Sequence, residues 1–365
     1  MPVTSAVGLP VAELDTPALV LDLDVFDANV GVMTGLLAER KIGWRPHAKA
    51  HKTPAIAHRL LAAGAHGITC AKLSEAEVYA ANGIRDILIA NQIAGPIKAK
   101  RFAELARTAD VISAVDNLEA AKVLDAAAAT AGTKPRVVIE VNCGMNRAGV
   151  APGEPTVALA KALADLKHLR FSGLMAWEGH VLTIADQGER DTAASDAVRQ
   201  VTETADAIRA AGIAVDIVSC GGTGTLLATP GVSGVTEVQA GGGVFGDTFY
   251  RNLGIPVQPA LAIKVTVTSR PTPTSILIDA GRKTVDPSNV PPSPVGIDHV
   301  ESVVLSAEHG NIHLSGPSES PRVGDSIWLN IGYSDQAVHL HEQFHVVRDG
   351  VVTAVWPTLA RGCLS

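Results

Sequence analysis

No run of basic residues occurs in this chain, and acidic residues outnumber basic ones, 37 to 30, for a net charge of −7. That balance argues against a nucleic-acid partner and against docking on an anionic membrane surface. Cysteine is scarce: Cys70, Cys143, Cys220 and Cys363 are scattered, with no Cys-x-x-Cys pair. Free thiols in a reducing compartment are the simplest account. No apolar run approaches bilayer-spanning length. The opening MPVTSAVGLPVAELD lacks a basic segment followed by an apolar core, so a secretory leader is not expected. These absences lead to the expectation of a soluble, cytoplasmic protein. What the chain does have is hydrophobic residues, 47% of 365, enough for one large α/β domain and a smaller second one.

Residues 18–23 (ALVLDL) read as a strand, and 24–40 as a helix with Val25, Val30, Met33 and Leu37 on one face. From Ile42 a rhythm sets in. Short β-rich runs fall at 42–46, 67–71, 86–90, 110–115, 136–142, 169–176, 213–219 and 235–240. Ala-rich helical segments lie between most of them, at 73–82, 96–107, 116–131, 155–167 and 189–211. Strand followed by helix, repeated in this way, predicts a parallel (β/α)₈ TIM-type barrel; a doubly wound open sheet is the alternative. After Pro256 and Pro259 the pattern changes. Residues 261–268, 275–279, 300–306, 311–314, 326–331, 337–340 and 343–347 read as strands joined by Pro, Gly and Ser turns. The expected division is a barrel over 25–258 and an all-β domain over 259–365, joined by strand 16–24.

Barrel chemistry sits at the C-terminal ends of the strands. The first run is followed by His47, Lys49, His51 and Lys52, two histidines and two lysines crowding one turn. A lysine placed there can be desolvated into a nucleophilic amine, although a basic surface turn has the same composition. Asn142, Cys143, Asn146 and Arg147 follow the fifth run, and Trp177, Glu178, Gly179 and His180 the sixth. The seventh and eighth are followed by SCGGTGT and QAGGGVFGD. Glycine-rich turns after the last two strands are where barrels often hold a phosphate on backbone N–H groups. Either loop alone is weak evidence; the pair, with a lysine after strand one, suggests pyridoxal phosphate.

Those residues in that order resemble the fold-type III pyridoxal-phosphate enzymes, the alanine racemase superfamily. Within it the chain is most similar to the D-threonine aldolase and D-serine dehydratase family. The resemblance runs nearly end to end, through DTPALVLDLD, RPHAKAHKTP, EVNCGMNRAGV, GLMAWEGH, SCGGTGT, EVQAGGGVFGD and the tail from SAEHG to VWPTLARG. RPHAKAHK is specific; the glycine-rich pieces are not. The resemblance implies Lys49, not Lys52, as the Schiff-base lysine and Arg147 near the cofactor's phenolic oxygen. It places Gly222, Thr223, Gly241, Gly242 and Gly243 in the phosphate loops. It implies a homodimer whose active sites are closed by the β-domain of the other subunit. The expected activity is a lyase on a small β-hydroxy D-amino acid, retro-aldol cleavage of D-threonine-type substrates. Dehydration of D-serine or D-threonine is the alternative, followed by racemisation. A cofactor carrier and a sugar-phosphate barrel enzyme are more distant rivals.

Two positions depart from the family. Where it commonly has a Tyr touching the phosphate, this chain has Gly243. The resemblance also implies a divalent metal, Mn or Mg, on a His-x-Asp or His-x-Cys pair; here the stretch is Tyr333-Ser334-Asp335, leaving Asp335 as the one candidate ligand. Tyr is a poor ligand for such ions. His339, His341 or His345 would compensate as ligands if HLHEQFH were a strand that puts them on one face, but ordinary half-buried strand residues would show the same pattern and are the favoured reading. With the pair incomplete, His180 or His309 is a candidate base. His180 fits a loop cap equally well, Glu308-His309 a turn, Cys70 and Cys220 core thiols, and Asp247 the N-cap of the helix after it.

Overall fold

The computed structural model describes residues 6–365; residues 1–5, the start of the stretch read for a leader, lie outside the described residues. The contacts divide the chain into two compact units. One comprises 33–49, 54–241 and 362–365; the other comprises the residues up to Val32, 50–53 and 242–361. Among the described residues no helix is long and apolar enough to cross a membrane.

The chain enters through β1 (Ala18–Asp22) and α1 (Leu23–Ala38). The barrel strands come next as β2 (Gly43–Trp44), β3 (Ile68–Cys70), β4 (Asp86–Gln92), β5 (Asp110–Val115), β6 (Arg136–Glu140), β7 (Arg170–Met175), β8 (Ile217–Cys220) and β9 (Glu237–Val238). All pair in parallel, in the order β2-β9-β8-β7-β6-β5-β4-β3. A bridge between His47 and Thr69 brings the two ends of this path together, so the sheet closes. The eight runs read from the sequence are these eight strands. Helices α2 (Pro54–Ala62), α3 (Leu73–Ala81), α4 (Pro96–Leu105), α5 (Leu118–Ala131), α6 (Glu154–Ala164) and α7 (Gln187–Ala210) alternate with them. Strands covered on both faces must be apolar throughout, and RVVIE of β6 is buried at every position. Leu88, Ile112, Ala114, Val138, Met175 and Ile217 pack together as the barrel interior. Helix boundaries obey local chemistry: Asn117 Oδ1 accepts the Ala120 N–H at 2.7 Å to open α5, and Gly132, at φ 69°, closes it.

A charge network that the sequence reading did not anticipate joins the strand starts. Asp86, Asp110, Arg136 and Glu237 each open their strand. Arg45, its side chain 2% exposed, donates to Glu237 at 2.8 Å and to Asp86 at 2.6 Å. Arg136 reaches Asp86 and Asp110, both at 2.8 Å, and His66 bonds Glu237 at 2.7 Å. In a barrel this rim serves stability. Burial works against the Glu237 carboxylate, but the His66 and Arg45 bonds and the Arg45 charge hold it down at about 2. A depressed carboxyl contributes stability that is complete above its ordinary value and is lost as pH falls toward the folded one. Arg45→Met, which strands a buried carboxylate, is expected to cost roughly 3 kcal/mol at pH 7. The gap to wild type should narrow as urea unfolding is repeated from pH 5 toward pH 3. A gap independent of pH would mean that Glu237 is not what Arg45 stabilises.

The second unit is a sheet in the order β13-β14-β11-β10-β1-β16-β17, with a further strand, β15, on β10 and β12. Its strands are β10 (Leu261–Thr272), β11 (Ser275–Ile278), β12 (Ser293–Pro294), β13 (Val300–Leu305), β14 (Gly310–Leu314), β15 (Ser326–Asn330), β16 (Gln343–Arg348) and β17 (Val351–Pro357). β1 runs antiparallel to β10 and parallel to β16. Phe26, Phe245 and Phe344 stack in succession, with centroids 6.1 and 5.8 Å apart. Two short helices, α8 (Thr248–Asn252) and α9 (Ser334–Ala337), complete the unit.

The strand expected at 337–340 is not there. Ser334–Ala337 is helical and Val338–Leu340 continues as a 3₁₀ turn, because Ser334 N–H and Oγ both anchor to Asp247 Oδ2, at 2.8 and 2.6 Å. The shared histidine face disappears with the strand. Of the three histidines only His345 lies in β16; His341 Nε2 bonds Thr284 O at 2.8 Å and His345 Nδ1 bonds Leu19 O at 3.3 Å. β17 is a strand that the sequence pattern did not mark, although Asp349-Gly350, at φ 51° and 73°, is a hairpin-turn signal between two apolar runs.

Candidate active site

The first barrel strand is two residues long, and the segment after it is tied to the last strand. Trp44 Nε1 donates to Ala240 O at 2.8 Å, and His47 N to Gln239 O at 3.0 Å. The turn Ala48–Ala50 then carries Lys49, whose N–H donates to His47 Nδ1 at 3.3 Å. Ala48 and Ala50 are buried, and the half-buried Lys49 is the long side chain between them. A Cβ at Gly241 would collide with the His47 carbonyl, so the eighth loop touches the lysine turn only because it is glycine there.

The seventh loop is built on a buried carboxylate. Glu178, fully buried, accepts Thr225 Oγ1 at 2.7 Å and Thr229 Oγ1 at 2.5 Å on Oε1, and Gly221 N–H at 3.2 Å on Oε2. Burial pushes this carboxyl up, while those hydroxyls and the N–H favour its charged form. Trp177 lies against Gly222, where a Cβ would sit 2.6 Å from the indole. Thr223 comes next, 2% exposed. The sequence reading placed Glu178 on the rim and gave it no task; no spacing connects it to threonines 47 and 51 residues away.

The fifth and sixth loops bring His180 and the Arg147 segment together. Asn142 Oδ1 accepts Gly144 N–H at 3.2 Å and Asn146 N–H at 3.0 Å, folding the turn. His180, in the 3₁₀ turn Gly179–Thr183, packs on that turn, with Nε2 2.6 Å from where a Gly144 Cβ would be. Its Nδ1 is buried with no hydrogen-bond partner among the described residues. Arg147 is half exposed and reaches Glu140 at 3.4 Å, while Gln92 donates to the other oxygen of Glu140 at 2.5 Å. Cys143 is no nucleophile: burial, with Glu178 and Glu140 nearby, pushes its thiol up to about 12. Cys70 and Cys220 are buried and in no disulfide.

In the other unit Gly242–Phe245 forms a buried 3₁₀ turn, which contains Gly242 and Gly243. Asp247 caps α8 through Tyr250 N–H at 3.1 Å, as its position suggested, and burial pushes its carboxyl up to about 6. Asp335 accepts the Tyr333 hydroxyl at 3.0 Å. Glu308 and His309 sit in the exposed β13–β14 turn, with Glu308 paired to Lys283 at 2.7 Å.

The alanine racemase N-terminal domain family matches residues 21–249, and a putative serine dehydratase domain matches 260–347. A D-threonine aldolase of Arthrobacter sp. is 36% identical over 99% of this chain and 97% of its own length. The chain belongs to the D-threonine aldolase and D-serine dehydratase family of alanine racemase-like enzymes. A 3-hydroxy-D-aspartate aldolase of Paracoccus denitrificans (strain Pd 1222) is 33% identical over 97% of this chain and 94% of its own. The crystal structure of D-threonine aldolase from Filomicrobium marinum covers both chains completely, with a TM-score of 0.96 and 35% identity. This member of the family is therefore a lyase of a pyridoxal-phosphate lineage. Its residues fit the cofactor: a lysine on an alanine turn, glycine loops that leave no room for a Cβ, and an imidazole nitrogen left without a protein partner. The stretch matched to the metal pair fits less well. Among the described residues no three His, Cys, Asp or Glu side chains gather where a metal ion could be held.

Proposed function

We propose that the chain cleaves a small β-hydroxy D-amino acid of the D-threonine type into glycine and an aldehyde. The full-length similarity to two named aldolases carries this reading. In it Lys49 would hold the cofactor covalently, Gly222, Thr223, Gly241, Gly242 and Gly243 would hold its phosphate, and Arg147 would serve its ring oxygen. When bound, the cofactor supplies an electron sink for the pair left on Cα as Cα–Cβ breaks. His180 takes the β-hydroxyl proton on Nδ1, the nitrogen that no protein group occupies. As that O–H pair becomes the carbonyl π bond, the aldehyde leaves, and a proton delivered to Cα completes glycine while His180 gives up the one it took. Residues 25–258 form the cofactor-binding barrel and 259–365 the β-domain, joined by strand 16–24. The assembly is a cytoplasmic homodimer with shared active sites.

The match of 260–347 to a serine dehydratase domain favours a second reading, elimination of water from the same substrates followed by hydrolysis of the resulting imine to an oxo acid and ammonia. Product analysis with D-threonine separates the two. Glycine plus acetaldehyde is expected. 2-Oxobutyrate plus ammonia would make the enzyme a dehydratase, and loss of chirality alone would make it a racemase.

A further inference from the structure

The place of the metal pair is filled by aromatic side chains. Tyr333 donates its hydroxyl to Asp335 Oδ2 at 3.0 Å. Phe249 packs on Tyr333 with centroids 4.9 Å apart, and Tyr250 meets it edge-on at 5.9 Å. Tyr250 is 7% exposed and lies on the Gly242 turn, its ring 2.5 Å from where a Cβ would stand.

Asp247, His341 and His345 are committed elsewhere. Asp247 gives Oδ1 to Tyr250 N–H and Oδ2 to the Ser334 N–H and hydroxyl. His341 and His345 bond the carbonyls of Thr284 and Leu19, and His339 is exposed. A divalent Mn, Mg or Zn ion needs several anionic or imidazole donors converging on one point. What converges here is one carboxylate and two neutral phenols in an aromatic setting.

We infer that this chain has exchanged the family's metal site for the Tyr333–Asp335 hydrogen bond, packed against the rings of Phe249 and Tyr250, and that its lyase reaction needs no divalent ion. The second clause rests on the function proposed above; the first does not. Tyr333 is the residue that excludes the ion, because histidine there would offer an imidazole two residues from the Asp335 carboxylate and release Oδ2 from the phenol. Base work on the β-hydroxyl then falls to protein groups such as His180.

The test is Mn²⁺ titration followed by electron paramagnetic resonance on cofactor-loaded wild type and Tyr333→His, with metal analysis of both proteins as purified. Wild type should leave the free-Mn²⁺ signal undiminished up to about millimolar concentration, the weak end of oxygen-ligand sites. Tyr333→His should remove about one equivalent at tenfold or lower concentration. Stoichiometric Mn²⁺ on wild type would overturn the inference, whatever the reaction proves to be. So would a folded Tyr333→His protein, judged by circular dichroism, that takes up no metal. Should that variant fail to fold, the wild-type titration still decides. Turnover of D-threonine after chelation should be unchanged; activity abolished by chelation and restored by Mn²⁺ would overturn the second clause. A protein with no lyase activity under any condition would remove the proposed function and leave the metal result standing.

Discussion

Replacing Lys49 by alanine is expected to lower lyase turnover by about a thousandfold or more, with the protein still folded. The side chain is half-buried on a turn whose neighbours are already alanines, so truncation leaves no large cavity and breaks no packed layer. It removes a long amine held at the end of the first strand, close to the eighth loop through His47 and Gly241. Borohydride reduction of the loaded wild type, followed by peptide mapping, should leave the reduced cofactor on residue 49. An adduct on Lys52 would move the covalent role to the neighbouring lysine. No adduct at all would favour a sugar-phosphate barrel in which Lys49 acts only as a charge.

The second large effect is expected at Glu178. Glu178→Ala leaves two buried hydroxyls and a buried N–H without their acceptor, at a cost of roughly 2–4 kcal/mol in stability. The loop they hold carries Gly222 and Thr223, so apparent affinity for pyridoxal phosphate should fall by about tenfold or more (~1.4 kcal/mol). Glu178→Gln separates the two effects. The amide oxygen can still accept the threonine hydroxyls, but its NH₂ meets the Gly221 N–H donor to donor. Glutamine should therefore recover most of the stability and little of the cofactor affinity. Urea unfolding of the apoprotein and absorbance titration with the cofactor measure both. If stability drops and affinity stays put, the seventh loop is not the phosphate site.

The barrel was legible because its strands are buried on both faces. A strand such as RVVIE announces itself as an unbroken apolar run, and the Ala-rich helices between the runs keep their period wherever they pack. The rim was legible for a related reason. Local chemistry is contiguous there, so His47, Lys49, Gly222 and Gly241 each sit within a few residues of a strand end that the pattern already marks. The HLHEQFH stretch misled because alternation is a weak local preference, and two hydrogen bonds from Ser334 to Asp247, 87 residues earlier, outweigh it.

By itself the sequence determined the alternation of strand and helix, the place of the lysine turn and glycine loops, and the membership these motifs imply. Tertiary structure alone decided which charges meet. Arg45 finds Glu237 across 192 residues, Glu178 finds Thr229 across 51, and the Tyr333 ring meets Tyr250 edge-on. Apolar burial is written into local periodicity because it needs no particular partner. A buried polar atom does need one, and only the closed fold brings that partner within reach.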